Sequence, residues 1–266
     1  MYAFTQHRPT TVRQAVSLLA KEEEAKLLAG GHTLGPTMKL RLAGPKHIID
    51  LAKVEGLTGI EVAGRSVTIG AMTPHVEVAT SAEVKEAIPA LAHLAGLIGD
   101  PAVRHRGTIG GSIANNDPAA DFPAALLALG ATVKTNKRSI AADDFFKGLF
   151  TTALEDGEII TAVSFPIPAK AGYAKMRHPA SRFALTAVFV TKTKAGDVRV
   201  AATGASQSGV MRVPAAETAL KANWSAGALD PIKIAADGLL SDIHGSSTYR
   251  ANLIKVMAQR AVTAAG

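Results

Sequence analysis

Two short turns built almost wholly from small residues constrain this chain more than any other feature in it. Ala29-Gly30-Gly31-His32-Thr33-Leu34-Gly35 follows the apolar Lys26-Leu27-Leu28, and Thr108-Ile109-Gly110-Gly111-Ser112 lies far downstream. A glycine pair at the end of an apolar run lets backbone amides approach a ligand with no side chain in the way. A helix starting near Leu34 would turn its unpaired N–H groups and positive dipole end to the same spot. An anion suits such a place. Thr33 adds a hydroxyl, and His32 a ring that can donate or pack on a sugar. A turn needed only for chain geometry, with His32 as a capping residue, explains the first stretch equally well. It is neither a Walker loop, because no Lys-Ser or Lys-Thr follows the last glycine, nor a GxGxxG fingerprint. The second turn shifts the balance, since two such turns can hold the two phosphates of a diphosphate from opposite sides. Asp121 stands where the next helix begins, as its cap or as an acceptor for ribose hydroxyls. Asn115, Asn116 and Asp117 read equally well as plain turn residues.

Composition narrows the function classes. The 266 residues leave room for one domain or two. With no cysteine, the chain can hold no disulfide, thiolate zinc site or iron–sulfur cluster, so any such centre must sit in a partner. The eight histidines include no HExxH and no tight spacing, and no metal site is expected. No apolar stretch approaches the roughly 18 residues of a membrane span, and the amino terminus does not read as a signal peptide, so a cytoplasmic location is expected. The net charge of +7 is uneven: residues 1–170 hold 17 Lys and Arg against 17 Asp and Glu, and residues 171–266 hold 12 against 5. These cations are scattered singly without interleaved aromatics, which argues against nucleic-acid binding. An anionic cofactor or an acidic partner, met for instance by Lys192, Lys194 and Arg199, suits them better, and a merely solvated basic face explains them equally well.

Periodicity divides the chain into three blocks. Thr10 or Thr11 caps a helix with Val12, Ala15, Val16, Leu18 and Leu19 on its apolar face, followed by a short strand, the glycine turn, a helix with Pro36 in its first turn, and a strand over 47–51. Residues 59–72 form a hairpin about Gly64-Arg65. Helices follow around 74–80 and 82–97, then a short helix after Asp121 and a strand over 158–168. The third block opens with a strand pair over 172–206 and ends in helices near 214–222, 229–240 and 248–264.

The stretches AGGHTLGPTMKLRLAGPKHIIDL and RGTIGGSIANNDPAADFPAALLALGA together resemble the FAD-binding medium subunit of the molybdenum hydroxylases, the aerobic carbon monoxide dehydrogenase family and its xanthine dehydrogenase relatives. The resemblance extends over essentially the whole chain. It implies an α+β fold: a two-subdomain FAD-binding domain of the vanillyl-alcohol-oxidase (PCMH) type over 1–170, divided near 57, then a small α+β carboxy-terminal domain with an antiparallel sheet over 171–266. It also implies roles by position. Ala29, Gly30, Gly31, His32 and Thr33 line one side of the FAD diphosphate, and Thr108, Ile109, Gly110, Gly111 and Ser112 the other. Asp121 binds the ribose or adenosine part, and Lys175 lies near the flavin, with no residue catalytic in its own right. Two departures stand out: the family often has Asn where Ser112 stands, and carbon monoxide dehydrogenase has a tyrosine where this chain has Phe183. The implied partners are an iron–sulfur small subunit, a molybdopterin large subunit and an external acceptor, a quinone, oxygen or NAD. A self-sufficient FAD oxidoreductase of the same fold and a non-enzymatic nucleotide-binding module are the alternatives.

Overall fold

The computed structural model describes residues 1–266. Thr11, rather than Thr10, caps the first helix, Val12–Lys21: its hydroxyl accepts from the Gln14 N–H at 3.2 Å. That helix lays Ala15 and its partly buried neighbours against Ile49, Leu51, Val54 and Leu57, forming a small amino-terminal core. The strands beneath it are parallel, in the order Thr5–His7, His47–Asp50, Ala25–Leu28. Parallel neighbours need crossover connections, and the Ala25–Leu28 strand makes its crossover through the glycine turn and the Leu34–Lys39 helix. The glycine turn therefore sits at the carboxyl end of a parallel strand, where open sheets of this kind receive ligands.

The second sheet has five antiparallel strands in the order Ile60–Ala63, Ser66–Gly70, Ile160–Pro166, Thr132–Thr135, Ser139–Ala141. The two-residue Gly64-Arg65 connection forms the expected hairpin. The single helix expected over 82–97 is two helices, Ala82–Ala87 and Pro89–Gly96. Pro89 lacks an N–H and forces Ile88 out of helical geometry, to φ −143° and ψ 73°. The Phe122–Leu129 helix is buried at all eight positions.

A four-stranded antiparallel sheet follows, Lys170–Arg177, Ala184–Lys192, Val198–Thr203 and Met211–Arg212 in sequential order. The long Ser247–Ala265 helix covers one face, and the other packs on Phe122–Leu129, so Tyr173, Ala184, Ala187, Phe189 and Ala201 belong to the same core as the second sheet. The helix expected over 229–240 does not form. Pro231 removes a helical donor, and beyond it Ile232, Ile234 and Ala236 are half-buried while Lys233, Ala235 and Asp237 are exposed, the two-residue alternation of extended chain. Arg199 is also not free for an acidic partner. Its guanidinium reaches Asp143 at 2.5 Å and the Leu127 carbonyl at 2.8 Å. No helix is long and apolar enough to cross a membrane.

Candidate diphosphate site between two glycine turns

The two turns meet. A Cβ on Gly30 would lie 2.1 Å from the Arg106 carbonyl oxygen and 2.8 Å from the Gly107 Cα, and one on Gly111 would lie 3.4 Å from the Ala29 Cβ. Gly30 is therefore required by the close approach of the second turn. Gly31 is required by its left-handed backbone, φ +73°. The His32 ring nitrogen Nε2 adds a third tie, 3.2 Å from the carbonyl of Ala102 in the Pro101–Arg106 helix that leads into the second turn, so His32 does not cap its own helix.

Their hydrogen bonding is unequal. The backbone N–H groups of Gly30, Gly31, His32 and Thr33 have no acceptor within the chain. Four of the five in the second turn are engaged: Ile109 donates to the Thr73 carbonyl at 3.3 Å, Gly110 to Ala71 at 2.8 Å, Gly111 to the Thr108 hydroxyl at 3.1 Å and Ser112 to the Thr108 carbonyl at 3.0 Å. The expectation of two donor-lined turns is thereby corrected. One turn offers four consecutive amides. The other is a wall bonded to residues 71–73, and Gly110 must be glycine there because a Cβ would come within 2.7 Å of Ala71. Four amides beside an approach too close for any side chain fit the phosphate groups of a nucleotide cofactor.

Asp121 does not cap the Phe122–Leu129 helix with its side chain. Its buried carboxylate takes the Lys175 ammonium, at 2.8 Å to Oδ1 and 3.0 Å to Oδ2, and the Tyr173 hydroxyl. Tyr173 and Lys175 share one face of their strand, two residues apart, which brings both to the same carboxylate. Lys175 is no solvated surface lysine: its side chain is fully buried, and it also donates to the Leu97 carbonyl at 3.2 Å. Burial pushes the Asp121 carboxyl above its usual range, with Lys175 and the two hydrogen bonds opposing. Burial and the adjacent carboxylate raise the Tyr173 hydroxyl well above its own. Asp121 and Lys175, implied to meet different parts of the cofactor, are in direct contact with each other. Phe183 lies on the surface, 51% exposed.

Two participants were not legible beforehand. Tyr173 carries no motif, and only the strand alternation with Lys175 hints at it. His75 lies buried against the second turn, its N–H bonded to the Gly107 carbonyl at 2.9 Å and its ring 5.4 Å from that of Phe122. Burial, and then the charges of His32 and Arg104, bring its pKa down to about 4, so it stays neutral beside the turn.

The profile of the family described as "FAD binding domain in molybdopterin dehydrogenase" matches residues 2–168. The chain is 37% identical to the carbon monoxide dehydrogenase medium chain of Afipia carboxidovorans, over 98% of this chain and 96% of that one. It is also 37% identical to the nicotine 6-hydroxylase medium subunit of Paenarthrobacter nicotinovorans, over 97% and 95%. The structure of reconstituted CO dehydrogenase from Oligotropha carboxidovorans superposes with a TM-score of 0.90 at 35% identity, covering 99% of this chain and 97% of that one. These likenesses and the clasped turns lead to one conclusion: the chain belongs to the FAD-binding medium-subunit family of the molybdenum hydroxylases, and it is an FAD-binding oxidoreductase subunit of the PCMH type.

Proposed function

We propose that this chain is the FAD-carrying electron-transfer subunit of a cytoplasmic molybdenum hydroxylase. In that assembly it takes electrons from [2Fe–2S] clusters of an iron–sulfur small subunit, which a molybdopterin large subunit supplies, and passes them to an external quinone, oxygen or NAD. The similarity to chains named as medium subunits, over nearly the full length of both, supports this reading. Within the chain, the observation that carries it is the set of four free amides closed over by the second turn.

Bound FAD supplies the redox chemistry, accepting electrons one at a time and releasing them to an acceptor. The residues of this chain bind and orient it. Ala29, with the amides of Gly30, Gly31, His32 and Thr33, holds the diphosphate, their N–H dipoles replacing the water that would otherwise solvate it. Thr108 through Ser112 press the opposite side, where Gly110 and Gly111 leave room for close approach while Ile109 is buried in the core. The buried Lys175 charge, fixed by Asp121, favours negative charge on the nearby part of the cofactor. No side chain is asked to act as a nucleophile or general base. The proposed division into subdomains 1–57 and 58–170 and a carboxy-terminal domain 171–266 is supported by the three larger of the four sheets, each of which falls within one of these ranges to within a residue.

Purification of the native assembly tests the reading. One FAD per chain is expected, together with a cysteine-rich iron–sulfur subunit and a large molybdopterin subunit, and the flavin should bleach when the assembly's substrate is added but not when the isolated chain receives it. Turnover of an organic substrate by the isolated, FAD-loaded chain would establish a self-sufficient flavoenzyme instead. A colourless chain whose ligand binding falls steeply with salt would establish a nucleotide-binding module.

A further inference from the structure

We propose that His7, Glu22 and His47 form a site for a divalent transition-metal ion of the zinc type, separate from the FAD site. The three come from different elements. His7 ends the Thr5–His7 strand, His47 begins the neighbouring His47–Asp50 strand, and Glu22 follows the last turn of the Val12–Lys21 helix. Strand pairing and helix packing, not sequence proximity, bring them together. His7 Nε2 lies 3.0 Å from His47 Nδ1, Glu22 Oε2 lies 3.6 Å from His47 Nε2, and one ligand atom from each residue falls within 4.8 Å of the other two. Donors around a tetrahedral zinc with bonds of about 2.0 Å stand about 3.3 Å apart, so the set closes by a movement of at most about 1.5 Å together with a turn of the exposed end of Glu22 from His47 Nε2 towards Nδ1, the nitrogen that faces His7.

The chemistry of the pair favours an ion. Two imidazole nitrogens facing each other at this distance can share only one proton, held by one nitrogen and donated to the lone pair of the other. A metal ion takes the place of that proton and uses both lone pairs, while the Glu22 carboxylate offsets its charge. Two imidazoles and one carboxylate are the donor set of zinc and its neighbours, not of calcium or magnesium. His47 and Glu22 are half-buried, at 24% and 19% side-chain exposure, so the site is partly shielded and still open to water as a further ligand. The nearby cations do not block it: Lys21, 3.4 Å from Glu22 Oε1, and Lys46, paired with Glu24, are both well exposed and free to swing into solvent. A second histidine pair offers an internal comparison. His178 Nε2 and His244 Nδ1 are 3.2 Å apart, but the neighbouring Asp242 carboxylate is held in a two-pronged pair by Arg250 at 2.7 and 2.9 Å, leaving that pair without a third donor.

The FAD-loaded full chain, titrated with Zn2+ and with Co2+, tests this. The expected result is one ion per chain, visible absorption bands of low-symmetry Co2+ that Zn2+ displaces, and a thermal midpoint that rises with Zn2+. His178→Asn should reproduce all three, whereas His7→Gln and His47→Asn should weaken Zn2+ binding about tenfold or more and lose the thermal response. Glu22→Gln, which alters no strand residue, should weaken binding in the same direction and serves if either histidine variant fails to fold. Unchanged Zn2+ affinity in the Glu22→Gln and histidine variants, or no stoichiometric binding by the parent chain, overturns the proposal.

Discussion

Gly30 and Gly35 stand five residues apart in one turn, yet their surroundings predict opposite outcomes for the same substitution. Gly30→Ala drives a methyl group into the Arg106 carbonyl, backbone that cannot rotate aside, so the two turns must part. At about 1–3 kcal/mol for such overpacking, FAD affinity should fall roughly 10- to 100-fold, read by titration of the apo chain against flavin fluorescence. Gly35, in the Leu34–Lys39 helix, has nothing within 4 Å of its would-be Cβ. Gly35→Ala should leave affinity unchanged and raise stability by about 0.5–1 kcal/mol through the entropy glycine loses in a helix. The Asp121–Lys175 pair argues differently. Lys175→Met leaves a buried carboxylate with only Tyr173 to hold it and should destabilise the chain by about 3–5 kcal/mol. Because the cost lies in the abandoned charge, Lys175→Met combined with Asp121→Asn should cost less than Lys175→Met alone. Urea unfolding of the two single variants and the double variant checks the inequality. At this scale the sequence pointed to the right positions for the glycines, because backbone demand shows directly in residue type. It did not show which turn keeps its amides free, because that depends on acceptors in residues 71–73.

Elements were legible where a local chemical signal marks them. The Thr11 cap, the Gly64-Arg65 hairpin and the strand pairing of the carboxy-terminal sheet follow from such signals. The 229–240 helix failed because apolar residues spaced for a helix also suit an extended strip, and Pro231 decides between the two. The break at Ile88 is the same lesson with Pro89. One junction between elements was invisible beforehand. Glu158, just before the Ile160–Pro166 strand, receives the Arg138 guanidinium at 3.0 Å, the Thr135 hydroxyl at 2.7 Å and the Glu155 N–H at 2.9 Å, tying two strands and a loop to one carboxylate. The Arg138 bond is the foremost of the forces that bring its pKa from 4.5 down to about 2. A carboxyl lowered on folding contributes stability that is present above its ordinary pKa and lost as protonation overtakes the folded state. Glu158→Gln should therefore be less stable than the parent at pH 7, by about 1–3 kcal/mol for hydrogen bonds to a charged group. The gap should close as pH falls from about 4.5 towards about 2, which denaturation midpoints across that window would show.

The division of the molecule near residue 170 separates sheets without separating cores. The Phe122–Leu129 helix has no exposed residue because the second sheet and its helices cover one side and the Ala184–Lys192 and Val198–Thr203 strands cover the other. Polar ties reinforce the contact: the Thr203 hydroxyl bonds to the Pro118 and Ala120 carbonyls at 2.9 and 2.8 Å, the Gly204 N–H donates to Pro118 at 2.8 Å, and Arg199 bonds across to Leu127 and Asp143. Lys175 adds a buried ion pair, reaching from the carboxy-terminal sheet to Asp121. The shared core does not show in the sequence, where Phe122–Leu129 reads as one more short helix. A chain ending at residue 168, where the family match ends, would expose a wholly apolar helix and leave Asp121 without Lys175 and Tyr173. Such a fragment should bind a hydrophobic dye, self-associate in sedimentation experiments and retain little FAD. The intact chain should instead unfold in a single transition when followed both by flavin release and by the fluorescence of Trp224, its one tryptophan, in the carboxy-terminal region. Two separated transitions, with flavin retained after Trp224 reports unfolding, would mean that the shared core does not couple the two regions and that the amino-terminal part holds its cofactor alone.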